Sequence, residues 1–144
     1  KMAKKLKSLL RISEWNVDQA HRKIRLLNSE VHNLEMQMDQ LNKQELVEKD
    51  IATAQPIEGG FSFGIYAEQA KKIRYELLEK IKKLNLKVEA AREELRLAYL
   101  EAKKYEIAQR KRDEITQLEA DRGEQADLDE VGIIGYINKK SQVF

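Results

Sequence analysis

His21 and His32 are the only histidines of the chain, and no cysteine accompanies them. A helical metal site needs ligands at i and i+4 on one face, and these two histidines do not have that spacing. Without cysteine there is no disulfide framework and no thiolate metal site. Ser8, Ser13, Ser29, Ser62 and Ser141 have no histidine placed to complete a nucleophilic triad. Glu93-Glu94 and Asp129-Glu130 are paired acids, but they fall in charged stretches where nothing excludes water or shifts a pKa. No GxxxxGK phosphate loop occurs, so the chain is not expected to hydrolyse nucleotides. Arg110-Lys111-Arg112 could meet phosphate, yet it lacks interleaved aromatics and is flanked by acids. A solvated helix face is the simpler reading. The chemistry expected is therefore binding: no catalytic residues, no cofactor and no metal.

Composition supports this. Charged residues make up 36% of the 144-residue chain and aromatics 6%, with one proline. That balance favours long helices with a thin apolar seam over a thick core. The net charge of +2 does not by itself point to nucleic acid. No apolar run approaches a membrane span, and no signal peptide opens the sequence. A soluble, cytoplasmic protein is expected, with Lys1 standing ahead of the natural Met2.

Two heptad seams dominate the chain. The first runs through Ala3, Leu6, Leu10, Val17, Ala20, Ile24, Leu27, Val31, Leu34, Met38 and Leu41, skipping Ser13 and faltering at Glu45. It predicts a helix over about 3–54, some 75 Å long at about 1.5 Å per residue. The second runs through Ile73, Leu77, Ile81, Leu84, Val88, Ala91, Leu95, Ala98, Ala102 and Tyr105, with a phase slip at the Leu77 to Ile81 step. Helix formers continue to about Val131, which predicts a longer helix over about 66–131. The tail 132–144, with Gly132 and Gly135 in the run VGIIGYI, is expected to be irregular or mobile.

Helices of this length must pack lengthwise. The expected fold is all-α, a long two-helix antiparallel coiled-coil hairpin forming a single domain. Two registers fit. One pairs Met38 with Leu77, Leu27 with Val88, Ala20 with Leu95 and Leu10 with Tyr105. The other pairs Met38 with Leu84, Leu27 with Leu95 and Val17 with Tyr105. The first alternates large with small residues better, as close packing prefers. The second brings Lys4, Lys5 and Lys7 nearer Asp113, Glu114 and Glu119. Exposed ion pairs contribute little, which favours the first.

Between the helices lies QPIEGGFSFGIY, residues 55–66, holding Pro56 and three of the six glycines. A turn over 55–65 is expected, with Gly59 and Gly60 inside it. Phe61, Phe63 and Tyr66 either plug the closed end or form a recognition tip. At the open end, Leu9, Ile12 and Trp15 fall at positions g, c and f, outside the seam. They form a partner patch unless the tail from Val131 to Ile137 folds over them. Helix two projects past the start of helix one, and this overhang from about Asp113 is acidic.

The chain resembles the flagellar FliJ family from its start to about Val131. The residues that carry the likeness are KSLLRISEWNVDQAHRKI, the Tyr66-led start of helix two, and KYEIAQRKRDEITQLEADRGEQADLDEV with Gln125 to Glu130 at its end. The resemblance implies a non-enzymatic component of the flagellar type III protein export apparatus, peripheral on the inner face of the cell membrane. Such a protein would act as a stalk in the hexameric export ATPase and contact the export gate protein FlhA. A general chaperone or chaperone-escort role is also implied, and a monomer in isolation is expected. By position, Gln37, Leu41 and Ile73 match the family's gate contact. Leu9, Ile12, Trp15, Asp127, Leu128, Asp129 and Glu130 at the open end would meet the ATPase. Two rivals stand beside this reading: a stalk of a virulence-type secretion system, and a generic helical-hairpin scaffold or prefoldin-like holdase.

Overall fold

The computed structural model describes residues 2–55 and 57–143, with the side chains of 4–55 and 57–141. Pro56 and the Ala3 seam position lie outside the described residues and side chains, respectively. Two helices make up the chain, α1 (Met2–Ala54) and α2 (Glu58–Val143). They pack against each other along their seams as an all-α helical hairpin. The described residues contain no strand. The contacts divide into two units, one of Glu14–Tyr99 and one of Lys1–Ser13 with Leu100–Phe144.

In the Glu14–Tyr99 unit, the α1 seam from Val17 to Leu41 is half-buried at each apolar position. It does not stop there. Glu45, Glu48 and Ala52 continue the same four-three spacing and are also half-buried. On α2 the seam takes Phe63, Ala67, Ala70, Arg74, Leu77, Ile81, Leu84, Val88, Ala91, Leu95 and Ala98. Ala70, Leu77, Val88 and Ala91 are buried. Ile73, read from sequence as a seam residue, is instead 47% exposed. Arg74 holds that place, so the heptad runs without the phase slip expected at Leu77–Ile81. An apolar residue beside an arginine misled the pattern, because periodicity scores hydrophobicity and Arg74 enters the seam by hydrogen bonding.

Cross-helix contacts decide the register. Lys23 Nζ donates to Glu94 Oε2 at 3.0 Å. Arg74 donates to Asn42 Oδ1 from Nε at 3.3 Å and from Nη2 at 3.1 Å, and it pairs with Glu45. Pairing Met38 with Leu77 puts Arg74 opposite Leu41, within reach of Asn42 and Glu45. Pairing Met38 with Leu84 would put it opposite Glu48. Likewise Lys23 lies opposite Arg92 in the first arrangement and opposite Tyr99 in the second. The observed partners belong to the first register, with bulky α1 residues such as Ile24 set opposite Ala91.

In the other unit, the α1 seam residues Leu6 and Leu10 are half-buried, and Ser13 is buried. The position skipped in sequence is thus part of the seam. Its hydroxyl donates to the Leu10 carbonyl at 2.8 Å, which satisfies it without water. The same register sets it opposite Ala102, also buried. From Asp113 to Ser141 every side chain is exposed.

α2 takes in residues 58–65, assigned above to the turn, and continues through the glycine-punctuated tail. Glu58 in its first turn suits the helix dipole. At the far end the helix is already nucleated, and extending it costs little even through Gly132 and Gly135. Gly59 has a distinct reason to be glycine. A Cβ there would lie 2.6 Å from the Ala52 carbonyl oxygen, so the two backbones meet directly. Beside Gly60 there is open space. Gly59→Ala is therefore expected to lower stability by about 1–3 kcal/mol. Gly60→Ala should raise it by about 0.5–1 kcal/mol, through helix propensity. Thermal melts of the two variants should shift in opposite directions.

Candidate functional site

Among the described residues, no group of three or more His, Asp and Glu is gathered where a metal ion could sit. His21 and His32 are both exposed. Glu93 pairs within its own helix: Arg96 donates to both its carboxylate oxygens, at 2.9 and 2.6 Å. That hydrogen bonding holds Glu93 below the usual carboxylate range and raises Arg96. Both groups face solvent, and the pair is local helix electrostatics. The features that remain are surfaces.

At the closed end, Gln55 N–H donates to the Ala52 carbonyl and Gly59 N–H to the Gln55 carbonyl, at 3.2 and 2.7 Å. Phe63 and Tyr66 are half-buried, while Phe61 is 76% exposed. Phe63 lines a recess of about 200 Å³ with Glu48, Ala52 and Gly59. The aromatics thus divide, Phe63 packing into the seam, Tyr66 half-buried at its edge, and Phe61 exposed like Ile57 and Ile65. Phe63→Ser is expected to cost about 1–2 kcal/mol of stability, from lost apolar burial. Phe61→Ser should stay within about 0.5 kcal/mol, as exposed positions do. Urea unfolding of each variant checks the division.

Gln37 and Ile73 are exposed, and Leu41 is a half-buried seam residue. Lys23 and Glu94 both occupy g positions, so g residues of the two helices share one flank. Gln37, Gln44 and Ile51 of α1 lie on that flank with Tyr66 and Ile73 of α2. The register therefore brings Gln37 and Ile73 to one side of the hairpin, with Leu41 in the seam beneath. Exposed Ile51 joins them there, which the sequence pattern did not single out, as does half-buried Tyr66, read from sequence as part of the closed end. Their g spacing was the available signal.

At the open end, Leu9 is half-buried, Ile12 is 57% exposed and Trp15 60%. The residues from Val131 to Ile137 are helical and exposed, so they do not fold over Ile12 of the same unit. Asp127, Leu128, Asp129 and Glu130 lie on the exposed stretch of α2. They share no face with the α1 residues, because α2 beyond Arg112 has no seam partner.

An antiparallel pair of seamed helices, with the second continuing unpaired, fits many coiled coils. The comparison that discriminates is with family models: the one described as Flagellar FliJ protein matches residues 2–141. The chain belongs to the flagellar FliJ family. The match takes in both helices and most of the tail beyond Val131, where the resemblance in motifs ended. No curated protein and no solved structure matches the chain. Membership of the FliJ family makes it a component of the flagellar export apparatus, and that component is non-catalytic. No helix among the described residues is long and apolar enough to cross a membrane.

Proposed function

We propose that this FliJ-family chain is the stalk of the export ATPase ring and couples that ring to the export gate. The observation that carries this reading is α2 beyond Arg112, a helix exposed on all sides from Asp113 to Ser141. Asp113, Glu114, Glu119, Asp121, Glu124, Asp127, Asp129 and Glu130 face only Arg122 in sign over the acidic part. A single unpaired helix is narrow enough for a ring, and its charge suits a basic collar. Ile115, Leu118 and Leu128 are exposed on the same stretch and offer apolar contact once charge has steered the encounter.

The gate half rests on the flank that holds Gln37, Ile51, Tyr66 and Ile73, towards FlhA. A chaperone-escort role would use the exposed apolar residues of the closed end, Ile57, Phe61 and Ile65. The chain would work in the cytoplasm at the flagellar base.

The test is co-sedimentation and steady-state ATP hydrolysis with the cognate export ATPase. The chain is expected to raise activity or promote ring assembly. Replacing Asp127, Asp129 and Glu130 together by lysine should weaken binding, and more so at about 0.01 M salt than at 0.15 M, because screening is weaker there. A chain that leaves both hydrolysis and assembly unchanged would refute the ring half. Ile73→Asp should lower FlhA binding and leave ring binding intact.

A further inference from the structure

The two seams mesh in either of two registers one heptad apart, and the structure adopts the first. We infer that the hairpin is a two-register switch, in which α1 and α2 can slide by one heptad against each other. This goes beyond the stalk reading and does not depend on any partner.

Three polar groups in the seam are unequally served in the observed register. Arg74 is shared by Asn42 and Glu45. Glu48 sits at a seam position and receives only a hydrogen bond from Gln44, four residues away on its own helix. Gln109, also at a seam position, keeps its Oε1 buried with no hydrogen-bond partner. Leaving such an acceptor unpaired costs free energy.

Sliding by one heptad answers two of these. Pairing Met38 with Leu84 sets Glu48 opposite Arg74 and Ser13 opposite Gln109. The Ser13 hydroxyl, now turned to the Leu10 carbonyl, would have the Gln109 oxygen as an alternative acceptor. The central apolar layers survive, since Ile24 then meets Ala98, Leu27 meets Leu95 and Leu34 meets Val88, while at the open end Leu10 meets Arg112 and Leu6 meets Thr116. The cost falls on Glu45, which loses Arg74 and faces Leu77, on the Arg74–Asn42 and Lys23–Glu94 contacts, and on Leu6 and Leu10. That cost explains why the first register is the one observed.

The closed end can absorb the slip. It moves the chain reversal towards Gly59 and Gly60, and glycine leaves a helix at little cost. A seam that carries a charge in each register resembles the polar positions that specify register in coiled coils. Here the same arginine has one carboxylate for each state.

Cysteine pairs test this, because the chain has none of its own. Ile24→Cys is combined with Ala91→Cys for the observed register, with Ala98→Cys for the second, and with Leu84→Cys for a slip in the wrong direction. A parallel series joins Leu27→Cys to Val88→Cys, Leu95→Cys or Ile81→Cys, so that one poorly folded variant does not decide the result. Oxidation rates under mild conditions report how often each pair meets. The observed-register pair should close fastest. The second-register pair should close at least about tenfold faster than the wrong-direction pair, in proportion to its population. Glu48→Gln should slow the second-register pair and leave the first unchanged, while Glu45→Gln should speed the second. Equal rates for the second-register and wrong-direction pairs overturn the switch. So does a shift of both glutamate variants in one direction, which would mean general loosening.

Discussion

A chain cut after Arg112 is expected to melt within a few degrees of the full-length protein and to lose export ATPase binding. The first half follows from packing. From Asp113 to Ser141 every side chain is exposed, so the cut removes no buried seam residue. The layers closest to the cut, Leu6 with Gln109 and Leu10 with Tyr105, keep both members, and Gln109 loses only its exposed bond to Asp113. Residues whose removal buries or unburies nothing change stability little. The second half follows from the stalk reading, since the cut removes all eight acids of the overhang. A loss of at least about tenfold in affinity, or about 1.4 kcal/mol, is expected. Calorimetry and ring co-sedimentation measure the two halves. Lost stability with retained binding would place the ring contact elsewhere on the hairpin.

The second large effect is a contrast between close neighbours on α2. Leu77→Ala should destabilise the chain by about 2–5 kcal/mol, towards the lower end for a two-helix seam that partly collapses. Leu77 is 5% exposed and faces Met38 in the observed register. Ile73→Ala should change stability by less than about 0.5 kcal/mol, because that side chain already faces water. Equilibrium urea unfolding separates the two variants. Equal losses would return Ile73 to the seam and with it the phase slip. They would also remove Arg74 from the seam, and with it the basis of the two-register switch.

Most of the fold was legible in the heptads. The stretch from Val17 to Leu41 and that from Leu77 to Tyr105 read as seams and are seams, because each position is apolar and only one helix face is covered. Legibility failed where a seam position was polar. Ser13 looked skipped but is buried through its bond to Leu10. The seam looked to falter at Glu45, yet Glu45 and Glu48 are half-buried opposite Ala70 and Ala67. Arg74 was hidden by Ile73. In each case hydrogen bonding, or a small residue across the seam, makes room for a group that hydrophobicity alone would expel. The glycines of residues 58–65 misled in a similar way. Propensity opposed a helix there, and tertiary context overrode it, with Gly59 lying directly against the Ala52 backbone.

The candidate surfaces were legible by type and not by placement. Phe61, Phe63 and Tyr66 stood out as aromatics beside glycines, but their division into one outward side chain, one in the seam and one at its edge depends on helix phase. Gln37 and Ile73 share a flank only once the register is known. Ile51 and Tyr66 enter that flank for the same reason.

By itself, the sequence determined an all-α antiparallel hairpin with a longer second helix and an acidic extension. Those properties follow from local propensity and from the period of apolar residues, which every stretch of the chain carries within itself. Only the tertiary structure decided the register, the exposure of Ile73 and the packing of Phe63. Each depends on which residue of the other helix stands opposite, and both registers bury nearly the same apolar seams. The choice between them therefore falls to a few polar contacts, Arg74 with Asn42 and Glu45 above all, whose energies come from geometry and not from composition.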